Sequence, residues 1–197
     1  IHGHRYAYIS EWLSKNFSNQ KIPSIPHIVS LNKTKRNLKK KLKIKKSQLV
    51  FGCHGGESSF DLRFVHDALQ YTVQERKDVV FLFLNITKFC NHPRIKFLKG
   101  TSNEILKKKF INTCDAMIYA RSLGESFGLS CGEFSILDKP IFSYKFNRHK
   151  CHKFNSSQDK FFEYSSFKNL YLLLKNFKKN KTIKKKNKYK QYSSNKV

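Results

Sequence analysis

The chain has 197 residues, of which 39% are hydrophobic, and its 40 lysine and arginine residues against 13 acidic ones give a formal net charge of +27. This length suffices for one or two domains with a substantial core, which excludes a minimal scaffold. The five cysteines include no C-x-x-C pair, so the sequence predicts neither a disulfide framework nor a metal site and favours a reducing, cytoplasmic location.

The first 46 residues contain no complete domain. Residues 6–17 (YAYISEWLSKNF) predict one strand and the start of a helix, and residues 22–31 carry two prolines in an extended apolar run, which is typical of a connector. Residues 33–46 follow with nine basic residues and no acidic one. We therefore expect an N-terminal appendage and connector over residues 1–26, then a basic linker over residues 27–46.

From residue 48 onward, predicted strands and helices alternate. The strands are short apolar runs, and the helices carry apolar residues at helical spacing. The strands are expected at 48–54, 79–85, 94–98, 115–120 and 139–144, and the helices at 60–73, at 104–114, from the GESFG turn to about Asp138, and at 167–177. Short, doubly buried strands separated by helices predict an α/β fold with a parallel sheet and helices on both faces. The longest apolar run, 79–86, is too short to cross a bilayer, so no transmembrane segment is expected.

A second lysine-rich segment lies near the end of the chain. Residues 168–190 hold ten basic residues and no acidic one, and residues 181–197 are expected to be a disordered tail. Such charge attracts nucleic acid through counterion release, so a nucleic-acid-binding protein is one alternative. Codons rich in A and T would also produce the lysine, and the aromatic residues are not interleaved with the lysine runs as stacking platforms would be. We therefore expect no specific nucleic-acid partner.

The ends of the predicted strands carry glycines and polar side chains. In parallel sheets covered on both faces, ligands bind outside the carboxyl ends of the strands. The residues that follow the first four predicted strands are His54, Gly55, Gly56, Asn85, Lys99–Thr101 and Arg121–Glu125. A ligand site is therefore expected along this edge of the sheet.

Residues 124–133 read GESFGLSCGE and place two glutamates around the start of a predicted helix. A helix N-terminus offers unpaired N–H groups and the positive end of a dipole to a phosphate, and Gly128, which has no Cβ, lets the backbone approach a ligand. Glu125 suits the hydroxyls of a sugar, and Glu133, roughly 8 Å along the helix, suits those of a ribose. This combination predicts a nucleotide-sugar site. The alternative is that Glu125 is only a helix-start acid and Glu133 a solvated surface residue.

The match to E-x-F-G-L-x-x-x-E, followed by a helix and a strand that begins with Lys-Pro, resembles the donor-binding half of retaining glycosyltransferases of the GT-B fold, of the group 1 or family 4 type. The resemblance covers about residues 6–145. It implies a Rossmann-like nucleotide-sugar-binding domain over residues 47–180 and the end of an acceptor domain with a connector over residues 1–26. It makes residues 27–46 an interdomain linker. It also implies that most of the N-terminal acceptor domain is absent.

The resemblance assigns roles to individual residues. Glu125 would be the catalytic residue that contacts the transferred sugar, and Glu133 would bind the ribose. The other donor-binding residues would be Ser126, Phe127, Gly128 and Leu129, whose amides face sugar and diphosphate, Lys99 and Thr101 beside the base, and Gly55, Gly56 and Arg121 at strand ends.

One departure from the family pattern concerns the diphosphate. Many relatives place an arginine just after the glycine loop of the first strand and a lysine a few residues later, whereas this chain has His54 and Phe60 near those places. We expect His54 and Arg63 to substitute for them. The alternative is that His54 is an ordinary loop histidine.

The predicted function is transfer of a sugar from a nucleotide-sugar donor to an unidentified acceptor, with retention and without a metal ion or other cofactor. Enzymes of this family react in the cleft between two domains, so the resemblance implies that this chain is a fragment, a decayed copy or one subunit of a split enzyme. In the last case an acceptor-domain partner chain is expected. The alternatives are a noncatalytic or decayed domain that serves as an interaction module and, less favoured, a basic nucleic-acid-binding protein.

Overall fold

The computed structural model describes residues 5–31, 34–179 and 187–193, and a six-stranded sheet lies at its centre. The strands are β1 (Leu49–His54), β2 (Val79–Leu84), β3 (Ile95–Leu98), β4 (Ala116–Tyr119), β5 (Gly124–Glu125), β6 (Ile141–Tyr144), β7 (His149–Lys150) and β8 (Phe161–Tyr164). The order across the main sheet is β3-β2-β1-β4-β6-β8, and β5 pairs with β7 in a separate two-stranded sheet. All these pairs are parallel, and the predicted α/β fold is confirmed.

Six α-helices flank the sheet within the described residues. They are α1 (Glu11–Ser18), α2 (Arg63–Glu75), α3 (Glu104–Thr113), α4 (Leu129–Ile136), α5 (Cys151–Asn155) and α6 (Phe167–Asn176), and short 3-10 helices occupy Gln158–Lys160 and Lys188–Tyr192. Three of the α-helices have an N-cap residue whose side chain accepts a hydrogen bond from a backbone N–H of the first turn. These residues are Ser10, Asn103 and Ser166. In the described part of the chain, no helix is long and apolar enough to cross a membrane.

The central strands are buried on both faces. The sequences of β1, β2 and β4 are LVFGCH, VVFLFL and AMIY, and only the last residue of β1 is partly exposed. Phe51 of β1 is paired in register with Phe81 of β2, and their ring centres lie 5.6 Å apart. Because side chains of both orientations are apolar, helices must cover both faces of the sheet.

The main sheet contains one strand, β8, in addition to the five that the sequence predicts. It pairs with β6 at the edge of the sheet, and the ring of Phe162 stacks on that of Phe142 at 4.8 Å. Its four residues, FFEY, do not alternate between apolar and polar side chains, and polar residues flank them. The sequence pattern therefore does not distinguish this segment from a loop. Pairing with β6 and packing against α6 give them their extended conformation.

Two arginines close helix ends on the side of the sheet where α2 meets α6. Arg76 donates from Nη1 to the carbonyls of Leu174 and Phe177, at 2.8 and 3.1 Å, and thereby satisfies the C-terminus of α6. Arg94 donates in the same way to the carbonyl of Val73 at the C-terminus of α2. Cationic donors at a helix C-terminus satisfy unpaired carbonyls and oppose the negative end of the helix dipole.

Residues 34–46 pack on the domain as well as joining it to residues 5–31. Leu38 and Ile44 are buried, and the amide of Leu38 donates to Thr113 Oγ1 at 2.8 Å. Four of the seven lysines of this segment lie between these two buried residues in the sequence.

Residues 187–193 differ from the predicted disordered tail over 181–197. Tyr189 is fully buried and Tyr192 nearly so, and the hydroxyl of Tyr189 donates to the carbonyl of Phe127 at 2.7 Å. A Cβ added at Gly132 would lie 2.9 Å from the ring of Tyr189, which shows how closely the ring fits against α4. The prediction of disorder is wrong for residues 187–193. It rested on the lysine-rich composition and did not take into account the two tyrosines, which pack into the core. Residues 181–186 and 194–197 lie outside the described residues.

We expect Tyr189→Ala to lower the free energy of unfolding by about 3 to 5 kcal/mol, the usual cost of deleting a buried aromatic ring. The matched control is Tyr71→Ala, because Tyr71 is 42% exposed and is expected to cost far less. Chemical denaturation of both variants measures the difference. Equal, small losses would show that residues 187–193 contribute nothing to the fold.

Candidate functional site

A cleft of about 420 Å³ lies at the carboxyl ends of β1 and β4 and contains most of the predicted site. Seven predicted residues line it, namely His54, Gly55, Gly56, Arg121, Glu125, Leu129 and Glu133. They come from the end of β1 and the loop after it, the segment after β4 and the first turns of α4. The structure therefore brings together residues that are up to 79 positions apart in the sequence.

The turn before α4 depends on two glycines. Gly124 has a φ of +75°, and a Cβ on it would lie 2.0 Å from the carbonyl oxygen of His149, so no other residue fits. Its strand β5 pairs with β7 and fixes the backbone of Glu125 opposite Lys150. Gly128 has a φ of +84° and immediately precedes α4. This left-handed backbone turns the chain into the helix at the cleft wall.

Glu125 lies at the cleft with little exposure to solvent. Its Oε1 accepts a hydrogen bond from the hydroxyl of Tyr119 at 2.9 Å and lies 3.6 Å from Nη1 of Arg121. Burial raises the pKa of Glu125, and the hydrogen bond from Tyr119 and the charge of Arg121 only partly offset that rise. A carboxyl group with this balance suits hydrogen bonding to a neutral, hydroxyl-rich ligand better than binding a cation.

Glu133 is the fifth of the eight residues of α4 and is only 8% exposed. Its Oε1 accepts from Nζ of Lys107 at 2.5 Å, and its Oε2 lies 2.9 Å from Nε2 of His54. Burial by itself raises the pKa of Glu133, but the contacts with His54 and Lys107 outweigh burial and lower it below the ordinary value. Glu133 is thus a charged, buried carboxylate, which contradicts the alternative of a solvated surface residue.

His54 ends β1 and packs between apolar rings. Its ring stacks on Phe134 at 5.9 Å and meets Phe110 edge-on at 6.1 Å. Although Nε2 lies 2.9 Å from Glu133, the geometry is not that of an aligned hydrogen bond, so neither His54 Nε2 nor Glu133 Oε2 has a hydrogen-bond partner in the described part of the chain. Both atoms are withdrawn from solvent, although the two residues line the cleft.

Six predicted residues do not line this cleft, and three of them lie outside the motif turn. Arg63 is exposed at the first position of α2, and Lys99 is exposed after β3. Thr101 is half-buried, and its hydroxyl oxygen accepts from the amide of Asn103 at 3.0 Å, next to the start of α3. The predicted substitution of Arg63 for a diphosphate-binding cation is therefore not supported by its position.

Ser126, Phe127 and Gly128 form the floor of the turn rather than the cleft wall. The carbonyl of Ser126 accepts from Ser10 Oγ at 2.5 Å, and the Phe127 ring lies 5.7 Å from that of Tyr189. These contacts hold the turn from the side opposite the cleft. The amides of the first turn of α4 have no partner within the helix, and Leu129 and Ser130, which carry two of them, line the cleft.

Four further residues line the cleft that the sequence did not single out, namely Ser59, Lys107, Tyr119 and Ser130. Lys107 is one of three consecutive lysines on α3, and only the packing of α3 against α4 shows which of them faces Glu133. Tyr119 is the last residue of β4. The apolar pattern of the strand predicts that its ring is buried, but not that its hydroxyl reaches the cleft. Ser130 could have been predicted from the sequence, because it lies in the first turn of the helix whose N-terminus was expected to bind a phosphate.

Asn85 supports the glycine loop of the cleft from the end of β2. Its side chain donates to the carbonyl of Gly55 at 2.7 Å, and its φ is +58°. A Cβ on Gly100 would lie 2.3 Å from the Oδ1 of Asn85, so the loop after β3 also approaches this side chain closely. Asn85 thereby connects the loops that follow three neighbouring strands.

Comparison with known proteins identifies the fold. No protein-family model and no curated protein matches the sequence. Among solved structures, a glycosyltransferase from Rickettsia africae is similar over 87% of this chain and 52% of its own, with a TM-score of 0.64 and 14% identity. Staphylococcus aureus TarM, in a complex that contains UDP, is similar over 87% of this chain and 37% of its own, with a TM-score of 0.64 and 12% identity.

A third similar structure is Anabaena HepE in complex with UDP and glucose. It is similar over 70% of this chain and 40% of its own, with a TM-score of 0.54 and 18% identity. These structures are GT-B glycosyltransferases, and the six-stranded sheet described above matches the Rossmann-like half of that fold. This chain spans between 37% and 52% of the length of the three.

The opposite pKa directions of the two glutamates predict opposite effects on stability. The raised folded-state pKa of Glu125 means that its contribution to stability is present at low pH and is lost as the pH rises through that pKa. The lowered pKa of Glu133 means that its contribution is present at neutral pH and is lost as the pH falls through the folded pKa.

At pH 7 we therefore expect Glu125→Gln to raise the unfolding temperature. We expect Glu133→Gln to lower the free energy of unfolding by about 1.5 to 3 kcal/mol, the range for hydrogen bonds to charged groups. Each variant controls for the other, because both replace a carboxylate by an amide in one cleft. Thermal unfolding at pH 7 and at pH 4 measures the two effects, and shifts of the same sign at pH 7 would contradict this assignment.

Proposed function

We propose that this chain is the donor-binding half of a glycosyltransferase that takes a sugar from a nucleotide-sugar. The observation that carries the proposal is that both glutamates of the E-x-F-G-L-x-x-x-E motif line one cleft, at the start of α4 and at the carboxyl end of a parallel sheet. Ligands of such folds bind at this edge. Similarity to solved glycosyltransferases supports the same fold-level assignment.

In this proposal Glu133 accepts hydrogen bonds from the ribose hydroxyls. Its pKa is lowered, so the carboxylate is ionised at neutral pH, and Lys107 orients it by donating to Oε1. A preformed, charged acceptor gives hydrogen bonds about twice as strong as a neutral one. The unpaired amides at Leu129 and Ser130 then face the diphosphate, where the positive end of the α4 dipole stabilises negative charge.

Glu125 is the residue proposed to contact the transferred sugar. The hydroxyl of Tyr119 fixes its carboxyl group, so the group is positioned to accept hydrogen bonds from sugar hydroxyls. The leaving diphosphate is stabilised by amides that are oriented before the reaction, which is often the largest contribution to catalysis. Retention, independence of metal ions and other cofactors, and the family 4 type are proposed from the motif.

The acceptor side of the reaction is proposed to come from a second domain, in the same polypeptide or as a partner chain. Cleft residues of this chain account for the donor alone. A cytoplasmic location is proposed from the five free cysteines, four of which are buried.

One observation favours a second candidate, a noncatalytic domain that serves as an interaction module. The arginine and lysine that many relatives place after the first strand are replaced by His54 and Phe60, and Phe60 is buried in the core. Binding of a nucleotide-sugar with no turnover when an acceptor domain is supplied would favour this candidate.

Calorimetric titration of the 197-residue chain with UDP and with a panel of UDP-, ADP- and GDP-sugars tests the proposal. We expect Glu133→Ala to weaken binding of the bare diphosphate by about 1.5 to 3 kcal/mol, because charge-assisted hydrogen bonds to the ribose are lost. Glu125→Ala is expected to leave diphosphate affinity nearly unchanged and to erase the preference among nucleotide-sugars.

Glu163→Ala is a matched control, because Glu163 pairs with Lys153 outside the cleft. Small, equal effects of the Glu125 and Glu133 substitutions on all ligands, or slightly tighter binding from loss of negative charge, would contradict the proposed site.

A further inference from the structure

Lys107 is a cation in the cleft to which the E-x-F-G-L-x-x-x-E motif assigns no role. It lies on α3, outside the motif, and its Nζ is 2.5 Å from Glu133 Oε1 with 30% of the side chain exposed. In the part of the chain that the structure describes, Glu133 is the hydrogen-bond acceptor of this ammonium group. An ammonium carries three donors, so two remain for a ligand.

The charge balance of the cleft requires such a cation. Glu125 and Glu133 contribute two carboxyl groups, and the arginine and lysine side chains that line the cleft are Arg121 and Lys107. Each of them faces one carboxyl group, Arg121 at 3.6 Å and Lys107 at 2.5 Å. A diphosphate adds further negative charge, and in a partly buried site that charge is costly unless cations and donors contact it directly.

Lys107 lies beside the proposed ribose contact and lines the same cleft as the residues that carry the first-turn amides of α4. Its partner Glu133 is three residues beyond Ser130, which corresponds to about 4.5 Å along the helix axis. The ammonium group is therefore close to the part of the cleft proposed for the diphosphate. Arg63, by contrast, is exposed at the start of α2 and does not line the cleft.

We propose that Lys107 directly binds the phosphates of the donor, in the role for which the sequence suggested Arg63. This inference rests on the proposed donor site. Lys107 holds Glu133 before the ligand arrives and keeps this contact afterwards, because a carboxylate has about four acceptor positions and Lys107 occupies one of them. The ribose hydroxyls bind the same carboxylate while the remaining ammonium donors bind phosphate.

A series of ligands that differ only in their number of phosphates distinguishes direct phosphate binding by Lys107 from an indirect effect through Glu133. The wild-type chain is titrated with UDP, ADP and GDP, and the best of these is then compared with its monophosphate and its nucleoside. We expect Lys107→Met to weaken diphosphate binding by about tenfold to a hundredfold, the range for a lost hydrogen bond to a charged group. The loss is expected to shrink for the monophosphate and to be smallest for the nucleoside.

Lys108→Met is the matched control, because Lys108 neighbours Lys107 on α3 but pairs with Glu104, at 3.0 Å, on the exposed side. It removes the same charge and is expected to leave the affinities for nucleoside, monophosphate and diphosphate unchanged. Lys107→Arg is expected to recover part of the diphosphate affinity.

A double-mutant cycle with Glu133→Gln keeps the test decisive if Lys107→Met is unstable, since the double variant buries no unpaired carboxylate. Direct phosphate binding predicts that Lys107→Met still weakens diphosphate binding in the Glu133→Gln background. No further loss in that background, or equal losses for nucleoside, monophosphate and diphosphate, would overturn the inference and leave Lys107 as a positioning residue for Glu133. A wild-type chain that binds none of the diphosphates would overturn the proposed function itself, and this inference with it.

Discussion

Burial of the central strands on both faces is the constraint from which the cleft follows. Along β1, β2 and β4 nearly every side chain is withdrawn from water, so the polar groups of this part of the fold are concentrated at the strand ends. Parallel pairing then places these ends at one edge. His54, at the end of β1, and the hydroxyl of Tyr119, at the end of β4, reach the same cleft for this reason.

Two carboxyl groups within this cleft have opposite electrostatic environments. Desolvation dominates at Glu125 and raises its pKa, whereas Lys107 and His54 overcome desolvation at Glu133 and lower its pKa. The difference comes from partners on different elements, since a hydroxyl from β4 faces one glutamate and an ammonium from α3 faces the other. One motif thus supplies two carboxyl groups of different acidity, one beside a hydroxyl and the other beside an ammonium group.

The motif turn is held by segments that lie far from it in the sequence. Ser10 donates to the carbonyl of Ser126, Tyr189 donates to the carbonyl of Phe127, and the backbone of Gly124 fits against His149. The amide of Val29 donates in turn to the carbonyl of Tyr192 at 2.7 Å, which joins the two distant segments to each other. Residues 5–31 and 187–193 are therefore part of the support of the site.

The sequence by itself determined the fold class and the main part of the cleft. Uninterrupted apolar runs such as 79–84 specify doubly buried strands, and the edge rule for parallel sheets then locates His54, the glycine loop, Arg121 and Glu125 without knowledge of side-chain contacts. Gly128 was expected to let a ligand approach the backbone, whereas the structure shows that its φ of +84° turns the chain into α4. These features depend on local pattern and on backbone topology.

Only the tertiary structure decided which charges meet. Residues 107–109 are all lysine, and α3 must pack against the sheet before one of them faces Glu133. Arg63 and Lys107 are equally basic in the sequence, yet the first is exposed at the start of α2 and the second lines the cleft. Tyr189, set among lysines, becomes core for the same reason. Long-range packing sets the partner and the burial of each side chain, and no pattern of neighbours along the chain encodes either.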